Sequence, residues 1–145
     1  MATTNDHIGL SVGETERISE FYRGVFGMTS AGTHTLADGV SRISLLIGAE
    51  GVCLELTEIP GSLTRNHTSV YDGARTQGWF HWALRVDDLD ATLGAVTARG
   101  GRVITGPTHA QTRPGATFAY VTDPEGNLIE VITAQSKSAK ATDRL

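Results

Sequence analysis

The sequence has a single cysteine, no excess of basic residues and no long apolar run, and each of these absences excludes a class of protein. Cys53 cannot form an intrachain disulfide, and its place in an apolar strand predicts an inert core thiol. The net charge of −4 and the isoelectric point near 5.7 offer no basic surface for nucleic acid. No run is long enough to span a membrane, and residues 1–6 lack the features of a signal peptide. We therefore expect a cytoplasmic protein without nucleic-acid or membrane partners.

What the sequence does contain is an internal duplication. Its 145 residues, of which 39% are hydrophobic and 19% charged, predict a single domain over residues 1–145 that buries a core. Residues 6–12 (DHIGLSV) share their layout with residues 79–88 (WFHWALRVDD), and the histidines of the two segments, His7 and His81, are 74 positions apart. The chain is thus predicted to consist of two related halves.

The duplication extends to the end of each half. Residues 52–57 (VCLELT) correspond to residues 127–132 (NLIEVI), and each segment has one glutamate between apolar residues, Glu55 and Glu130. Strand side chains alternate between faces, so each carboxylate should point away from its buried neighbours. A carboxylate on an enclosed face is costly unless a cation or hydrogen bonds neutralise it.

Two histidines and two glutamates at matched positions predict a metal site. A mixed nitrogen and oxygen ligand set suits Zn, Ni, Co, Mn or Fe(II), whereas Ca and Mg prefer oxygen ligands. Taken singly, each residue is better explained as a surface glutamate or a structural histidine than as a metal ligand. The repeat favours the metal, because four residues at equivalent positions in two halves are hard to explain separately.

Hydrophobic periodicity predicts the elements of the first half. A strand at residues 7–12 precedes a helix with Thr15 as its cap and Gly27 as its end. Further strands are expected between residues 28 and 59, among them residues 40–47 and 52–59. The first half is therefore a βαβββ unit, and the apolar stripe of its helix consists of Ile18, Phe21, Tyr22 and Val25.

The second half has the same pattern. A strand at residues 80–86 leads into a helix capped by Asp88 and ended by the glycines at 100 and 101. The remaining strands are predicted at residues 102–105, 116–121 and 128–132, separated by a loop at 106–114 and a turn at 123–127.

Two segments lie outside the modules, which cover residues 6–60 and 79–134. Residues 61–78 are predicted to be a long connecting loop, of the kind that covers a pocket or wraps a partner subunit, with His67 solvated. Residues 135–145 are predicted to be a frayed polar tail.

These residues resemble the vicinal oxygen chelate superfamily, which includes glyoxalase I, methylmalonyl-CoA epimerase, extradiol dioxygenases, and fosfomycin and bleomycin resistance proteins. The resemblance covers about residues 6 to 134. Its most specific motifs are DHIGLSV at 6–12, Phe21-Tyr22 with FGM at 26–28, LEL at 54–56, the strand of His81, and DPEGNLIE at 123–130.

The resemblance implies an α+β fold in which two βαβββ modules form curved mixed sheets around a metal. His7, Glu55, His81 and Glu130 occupy the four ligand positions of the family. One divalent ion per site is implied, with Zn, Ni, Co or Mn favoured over Fe(II). It would chelate two neighbouring oxygens of a small-molecule substrate. A homodimer is expected, as for other single-domain members, with the site either within one chain or across the dimer.

The four-ligand pattern favours a metal-dependent isomerase, epimerase or lyase. Extradiol dioxygenases of the family use three protein ligands, and Glu55 would compete for their open iron positions. A metal-free drug-binding resistance protein would not require the four residues together. An Fe(II) dioxygenase and a resistance protein are therefore the alternatives.

Glutathione is not the expected substrate. Bacterial glyoxalase I typically carries an arginine four residues after the first histidine, whereas this chain has Ser11. An asparagine that holds glutathione is also missing from the segment after Glu55, which reads LTEI. The predicted substrate is another oxygenated molecule, such as an acyl-CoA, a keto-sugar or a natural-product intermediate.

The resemblance also implies a mechanism of proton transfer through an enediolate or enolate. The metal polarises a carbonyl, and Glu130 or Glu55 leaves it to act as the base, one for each face of the substrate. Other residues are candidates for the pocket. Trp79, Trp82 and Phe118 are predicted as walls, Arg42, Arg85 and Arg113 as partners of a carboxylate or phosphate, and His109 and Tyr120 as aids to proton transfer.

Overall fold

The computed structural model describes residues 1–64 and 69–134, except for the side chain of Tyr71, and divides the chain into two compact units. The first unit is Met1–Thr64 and the second is Arg65–Leu145. The predictions for His67 and for the tail at 135–145 fall outside the described residues. Within the described ranges, no helix has the length and apolar character needed to cross a membrane.

The first unit is a four-stranded mixed sheet with one long helix. Its elements are β1 (Ile8–Val12), α1 (Thr15–Phe26), β2 (Thr29–Thr35), β3 (Arg42–Ile47) and β4 (Cys53–Glu58), with a short 3₁₀ turn at Ala49–Gly51. The strand order is β1-β4-β3-β2. Strands β1 and β4 are parallel, and the other two pairs are antiparallel.

Helix α1 buries three of the four residues of its predicted stripe, and the fourth, Val25, is half-buried. Ile18, Phe21 and Tyr22 are buried together with Leu46 and Leu54 of the sheet. The apolar spacing of the helix therefore matches the inner face of β3 and β4, which α1 contacts. Gly27 ends the helix with φ of 65°, a left-handed conformation that favours glycine.

The predicted cap of α1 is wrong. The N-cap is Glu14, whose side chain makes no capping bond, and Thr15 is already helical. The backbone N–H and the hydroxyl of Thr15 both donate to Oε2 of Glu58, at 2.8 and 2.9 Å. A carboxylate at the end of β4 thus satisfies the helix start and complements its dipole.

The second unit repeats this connectivity after a short helix. Its elements are α2 (Val70–Arg75), β5 (Trp82–Arg85), α3 (Leu89–Ala98), β6 (Arg102–His109), β7 (Thr117–Thr122) and β8 (Leu128–Ile132). The strand order is β5-β8-β7-β6, with β5 and β8 parallel and the other pairs antiparallel. The predicted α+β fold of two βαβββ modules is therefore confirmed.

Two predicted turns and caps are confirmed in this unit. Asp88 caps α3, because its side chain accepts a bond from the backbone of Ala91 at 2.9 Å. Asp123 is buried in the turn before β8 and accepts bonds from the backbones of Glu125 and Asn127 and from the Asn127 amide. Burial raises the pKa of Asp123, while these bonds oppose that effect.

The largest differences from the prediction concern the connection between the modules, the end of β6 and the start of β5. The connection at 61–78 contains α2. This helix has only six residues, too few to show a hydrophobic period in the sequence. Strand β6 continues to His109 through the residues predicted as a loop. Register shifts on both sides of Thr105 let the strand accommodate Gly106 and Pro107. Strand β5 begins at Trp82, so His81 immediately precedes it. Cys53 is half-buried at the start of β4 and is thus less enclosed than predicted.

Candidate metal centre

The two predicted glutamates occupy equivalent positions in the two sheets. Glu55 lies in β4 and Glu130 in β8, and both are half-buried. The residues on either side of them are fully buried: Leu54, Leu56, Ile129 and Val131. The alternation of faces is therefore confirmed, and each carboxylate points away from the core of its unit.

The strand register brings the start of β1 close to Glu55 and the start of β5 close to Glu130. Gly9 pairs with Glu55 in the first unit, and Ala83 pairs with Glu130 in the second. The histidine of each unit lies two residues before that small partner. Both histidines immediately precede their strands, so each extends the alternation of its strand by one residue. The contact of His81 with Glu130, and the effect of the Glu55 charge on the pKa of His7, support a His–Glu pair in each unit.

The pair in the second unit is in direct contact. Nε2 of His81 is 3.1 Å from Oε2 of Glu130, and the two side chains are only 20% and 17% exposed. Nδ1 of His81 is buried and has no hydrogen-bond partner among the described residues. If Nε2 carries the proton, the buried Nδ1 lone pair is unsatisfied. If Nδ1 carries it, two acceptors face each other, an arrangement that a shared cation would stabilise.

Aromatic rings surround this pair. Phe80 and Tyr120 both meet the His81 ring edge-on, with centroid distances of 4.2 and 5.2 Å, and Phe118 packs edge-on against Tyr120. Tyr120 is also the β7 residue opposite Glu130. Burial raises the pKa of Tyr120, and so do the charge of Glu130 and a hydrogen bond to that carboxylate. The phenol is thus protonated at neutral pH and holds Glu130.

The histidine of the first unit has a carboxylate partner that the sequence reasoning missed. Nδ1 of His7 is 2.8 Å from Oδ2 of Asp6, and the imidazole is 42% exposed. The hydrogen bond to Asp6 raises the pKa of His7. Burial opposes this effect, and the charges of Glu55 and Asp6 add to it. A carboxylate directly before the histidine was the available signal. When Nδ1–H donates to Asp6, Nε2 is left with a lone pair for a metal.

The remaining candidates are distributed over both units. Trp82 is half-buried in β5, whereas Trp79 is 96% exposed. Arg42 is exposed in β3 opposite Glu58, whose pKa is lowered chiefly by the Thr15 backbone bond and also by this arginine. Two further residues, Arg113 between β6 and β7 and His109 at the end of β6, are exposed. The pocket roles of these residues stay predictions.

The donor set fits a transition metal, although neither unit completes a site. Within each unit, the described residues contain no group of three or more His, Cys, Asp or Glu side chains arranged to hold an ion. Each unit instead provides one imidazole and one carboxylate, the mixed set that such metals accept. In the mostly buried His81–Glu130 pair, an imidazole nitrogen and a carboxylate oxygen lie 3.1 Å apart, and both are donor atoms that such a metal accepts.

Comparison with known proteins assigns a family to this arrangement. The family model described as the Glyoxalase/Bleomycin resistance protein/Dioxygenase superfamily matches residues 4–131. A probable lactoylglutathione lyase of Vibrio cholerae is 32% identical over 139 residues, covering 93% of this chain and 92% of the relative. The lactoylglutathione lyase of Haemophilus influenzae is 33% identical, covering 93% and 94%. The predicted class, an isomerase or lyase of this superfamily, is confirmed by these relatives.

Solved structures agree on the fold. A glyoxalase family protein from Bacillus cereus has a TM-score of 0.74 at 15% identity, covering 94% of this chain and 99% of its own. Glyoxalase I from Zea mays has a TM-score of 0.71 at 21% identity, covering 90% of this chain and 44% of its own. A fosfomycin resistance protein from Mesorhizobium loti reaches 0.67 at 18% identity, covering 99% and 100%. At these identities the likeness concerns architecture alone.

Proposed function

The chain belongs to the Glyoxalase/Bleomycin resistance protein/Dioxygenase superfamily, and from this premise we propose that it is a metal-dependent isomerase, epimerase or lyase that does not use glutathione. Its substrate is a small molecule with two neighbouring oxygens, and its reaction moves a proton through an enediolate or enolate. The observation that carries the proposal is the contact between Nε2 of His81 and Oε2 of Glu130 in a mostly buried pair, because a cation can be bound by both atoms.

The proposed ligands are the two His–Glu pairs. His7 and Glu55 come from the first unit, and His81 and Glu130 come from the second, either in one chain or across a homodimer. Zn, Ni, Co or Mn suits two imidazoles and two carboxylates better than Ca or Mg does. When bound, such an ion supplies Lewis-acid chemistry, which lowers the cost of charge on a substrate oxygen.

The protein side chains carry the proton. Glu130 accepts it from the carbon next to the substrate carbonyl and returns it, and Glu55 does the same on the other face. Tyr120 lies opposite Glu130 in the strand register, and its protonated phenol stabilises the Glu130 carboxylate. The rings of Phe80 and Tyr120 pack against His81 and reduce its contact with water, which strengthens electrostatic interactions there.

The exclusion of glutathione rests on the first unit. Ser11 is exposed on β1 opposite Thr57. Bacterial glyoxalase I typically carries an arginine at this position. A hydroxyl at this position cannot form the bidentate, charge-assisted bonds that hold a carboxylate. The names of the bacterial relatives favour a second candidate function, lactoylglutathione lyase itself.

Elemental analysis of untagged protein tests the metal proposal. We expect about one equivalent of Zn, Ni, Co or Mn per site, lost in His81→Ala and Glu55→Ala. The exposed His34→Ala is the matched control and should keep the metal. Iron that survives Glu55→Ala would favour the dioxygenase alternative, and protein without metal would favour the binding-protein alternative.

Activity assays separate the two candidate functions. The metal-loaded protein should exchange deuterium from solvent into the carbon next to the carbonyl of a hydroxyketone such as dihydroxyacetone. It should not form S-lactoylglutathione from methylglyoxal and glutathione. Rapid formation of that thioester would contradict the exclusion of glutathione and establish the second candidate.

The assembly is a separate part of the proposal. We expect a homodimer, as for other single-domain members of the superfamily. Light scattering coupled to gel filtration measures the mass directly. The mass of a single chain would contradict the dimer. The four proposed ligands would then have to come from one chain.

A further inference from the structure

We propose that Thr105 of β6 is a positioning residue for proton transfer, because its hydroxyl holds the backbone of Tyr120 and Tyr120 in turn supports Glu130. This inference rests on the proposed function and adds a residue to the support of the same base.

A row of directly opposed residues crosses the second sheet from Thr105 to Glu130. Thr105 of β6 is the register partner of Tyr120 in β7, and Tyr120 is the register partner of Glu130 in β8. Neighbouring strands lie about 4.8 Å apart, so each residue of the row is within reach of the next. A change in the outer strand can therefore reach the carboxylate through a single residue, Tyr120.

The first contact of this row is made by a side chain. The backbone N–H of Tyr120 donates to the hydroxyl of Thr105 at 3.2 Å, across 15 positions of the sequence. Register shifts on both sides of Thr105 interrupt the regular pairing of β6 with β7, and Pro107 has no N–H to donate. The hydroxyl thus fixes β7 at a point where its pairing with β6 is irregular.

Tyr120 connects this hydrogen bond to the candidate site. Its ring meets His81 edge-on, with the centroids 5.2 Å apart, and it packs edge-on against Phe118. Burial raises the pKa of Tyr120, and so do the charge of Glu130 and a hydrogen bond to that carboxylate. A shift of the Tyr120 backbone would therefore move the phenol relative to both members of the His81–Glu130 pair.

The first unit has a bulge on the equivalent row but no polar side chains beside its glutamate. Glu55 lies opposite Leu45, and Leu45 lies opposite Gly32, at the register shift of β2. The outer strand of each unit is thus irregular on the row of a candidate glutamate, and bulges are common beside active sites. Leucine and glycine side chains cannot form hydrogen bonds. Positioning through a hydroxyl and a phenol is therefore specific to Glu130.

NMR of the phenol carbon tests the positioning without metal or substrate. Protein labelled with ¹³C at Cζ of tyrosine gives one signal for each of its three tyrosines, and Tyr120→Phe identifies the signal of Tyr120. Thr105→Val removes the hydroxyl but keeps the branched shape, so it should shift that signal, and Thr105→Ser should restore it. Thr108→Val is the control, because it removes another exposed hydroxyl from β6. An unchanged Tyr120 signal in Thr105→Val would overturn the inference.

Deuterium exchange into dihydroxyacetone measures the consequence for the reaction. Thr105→Val should lower the exchange rate of the metal-loaded protein about 3-fold, the scale of one net hydrogen bond, without changing the metal affinity. Thr105→Ser and Thr108→Val should keep the wild-type rate. In a Tyr120→Phe background, Thr105→Val should have no further effect, because the phenol that it positions is already absent.

An equal loss in both backgrounds, or no loss in either, would overturn the role of Thr105 in proton transfer. Loaded wild-type protein without any exchange would instead contradict the proposed function. The NMR signal would then decide the contact between Thr105 and Tyr120 by itself, so the two failures are distinguishable.

Discussion

Nε2 of His81 lies 3.1 Å from Oε2 of Glu130, where the parallel strands β5 and β8 bring the two side chains onto one face. Both groups are mostly buried, and the second nitrogen of the imidazole is unsatisfied among the described residues. Such a pair is costly unless another group completes its bonding. A metal bound by Nε2 and the carboxylate would be such a group.

Replacing Glu130 with glutamine should weaken metal binding by at least about 100-fold, because the amide keeps the size of the side chain but loses its charge. Competition with a chromophoric chelator measures the affinity. Glu20→Gln, an exposed change on α1, should leave it unchanged. Equal affinities for the two variants would show that Glu130 is not a ligand.

Asp6 is predicted to orient His7 for the metal. Its carboxylate accepts from Nδ1 of His7 at 2.8 Å, which fixes the tautomer that leaves Nε2 free to coordinate. Asp6→Ala should therefore lower metal affinity about 10-fold, and Asp6→Asn should lower it less. The neighbouring Asn5→Ala is the control. If Asp6→Ala leaves the metal affinity unchanged, the bond between Asp6 and His7 has no role in metal binding.

Glu58 should stabilise the first unit in a pH-dependent way. Its pKa is lowered, first by the backbone bond from Thr15, so its contribution is complete above its ordinary pKa of 4.5 and is lost as the pH falls through the lower folded value. Glu58→Ala should reduce the free energy of unfolding by about 1 kcal/mol at pH 7, as for a lost helix cap.

Urea unfolding at about pH 7 and about pH 3 measures this difference, with Glu20→Ala as the control. The loss caused by Glu58→Ala should shrink at the lower pH, because the wild-type carboxyl then becomes protonated as well. A difference that is the same at both pH values would show that packing, rather than charge, links β4 to α1.

The phenol of Tyr120 should affect proton transfer more than metal binding. Tyr120→Phe keeps the ring that meets His81 and Phe118 but removes the hydroxyl bonded to Glu130. Deuterium exchange into the substrate should fall about 10-fold while metal content is unchanged. Tyr22→Phe in the core of α1 controls for loss of a phenol elsewhere. Loss of metal in Tyr120→Phe would instead show that the hydroxyl is needed to hold the metal ligands in place.

The repeat made the fold and the positions of the four candidate ligands predictable from sequence. A strand period of two fixes the face of Glu55 and Glu130 once their buried neighbours are recognised, and the duplication aligns one histidine with each. The stripe of α1 and the Asp88 cap followed from equally local patterns. These features needed no information about distant contacts.

What the sequence did not reveal depends on contacts between distant residues or on short irregularities. Glu58 is 43 residues from Thr15 in the sequence. No local pattern therefore distinguishes it from an ordinary surface glutamate or indicates that it binds the start of α1. The extension of β6 depends on bulges that shift its register, which periodicity cannot follow. Helix α2 is too short to display a hydrophobic period.

The irregular registers of β2 and β6 also bear on aggregation. Each is the last strand in the order of its sheet, and each carries a register shift, between Ser30 and Gly32 in β2 and around Thr105 in β6. A regular outer strand offers unpaired amide and carbonyl groups to another chain. Bulges interrupt that row of groups, and Pro107 removes one donor from β6. The same irregularities that hid the end of β6 from sequence reasoning therefore disfavour the addition of foreign strands along β2 and β6, although not along the other outer strands, β1 and β5.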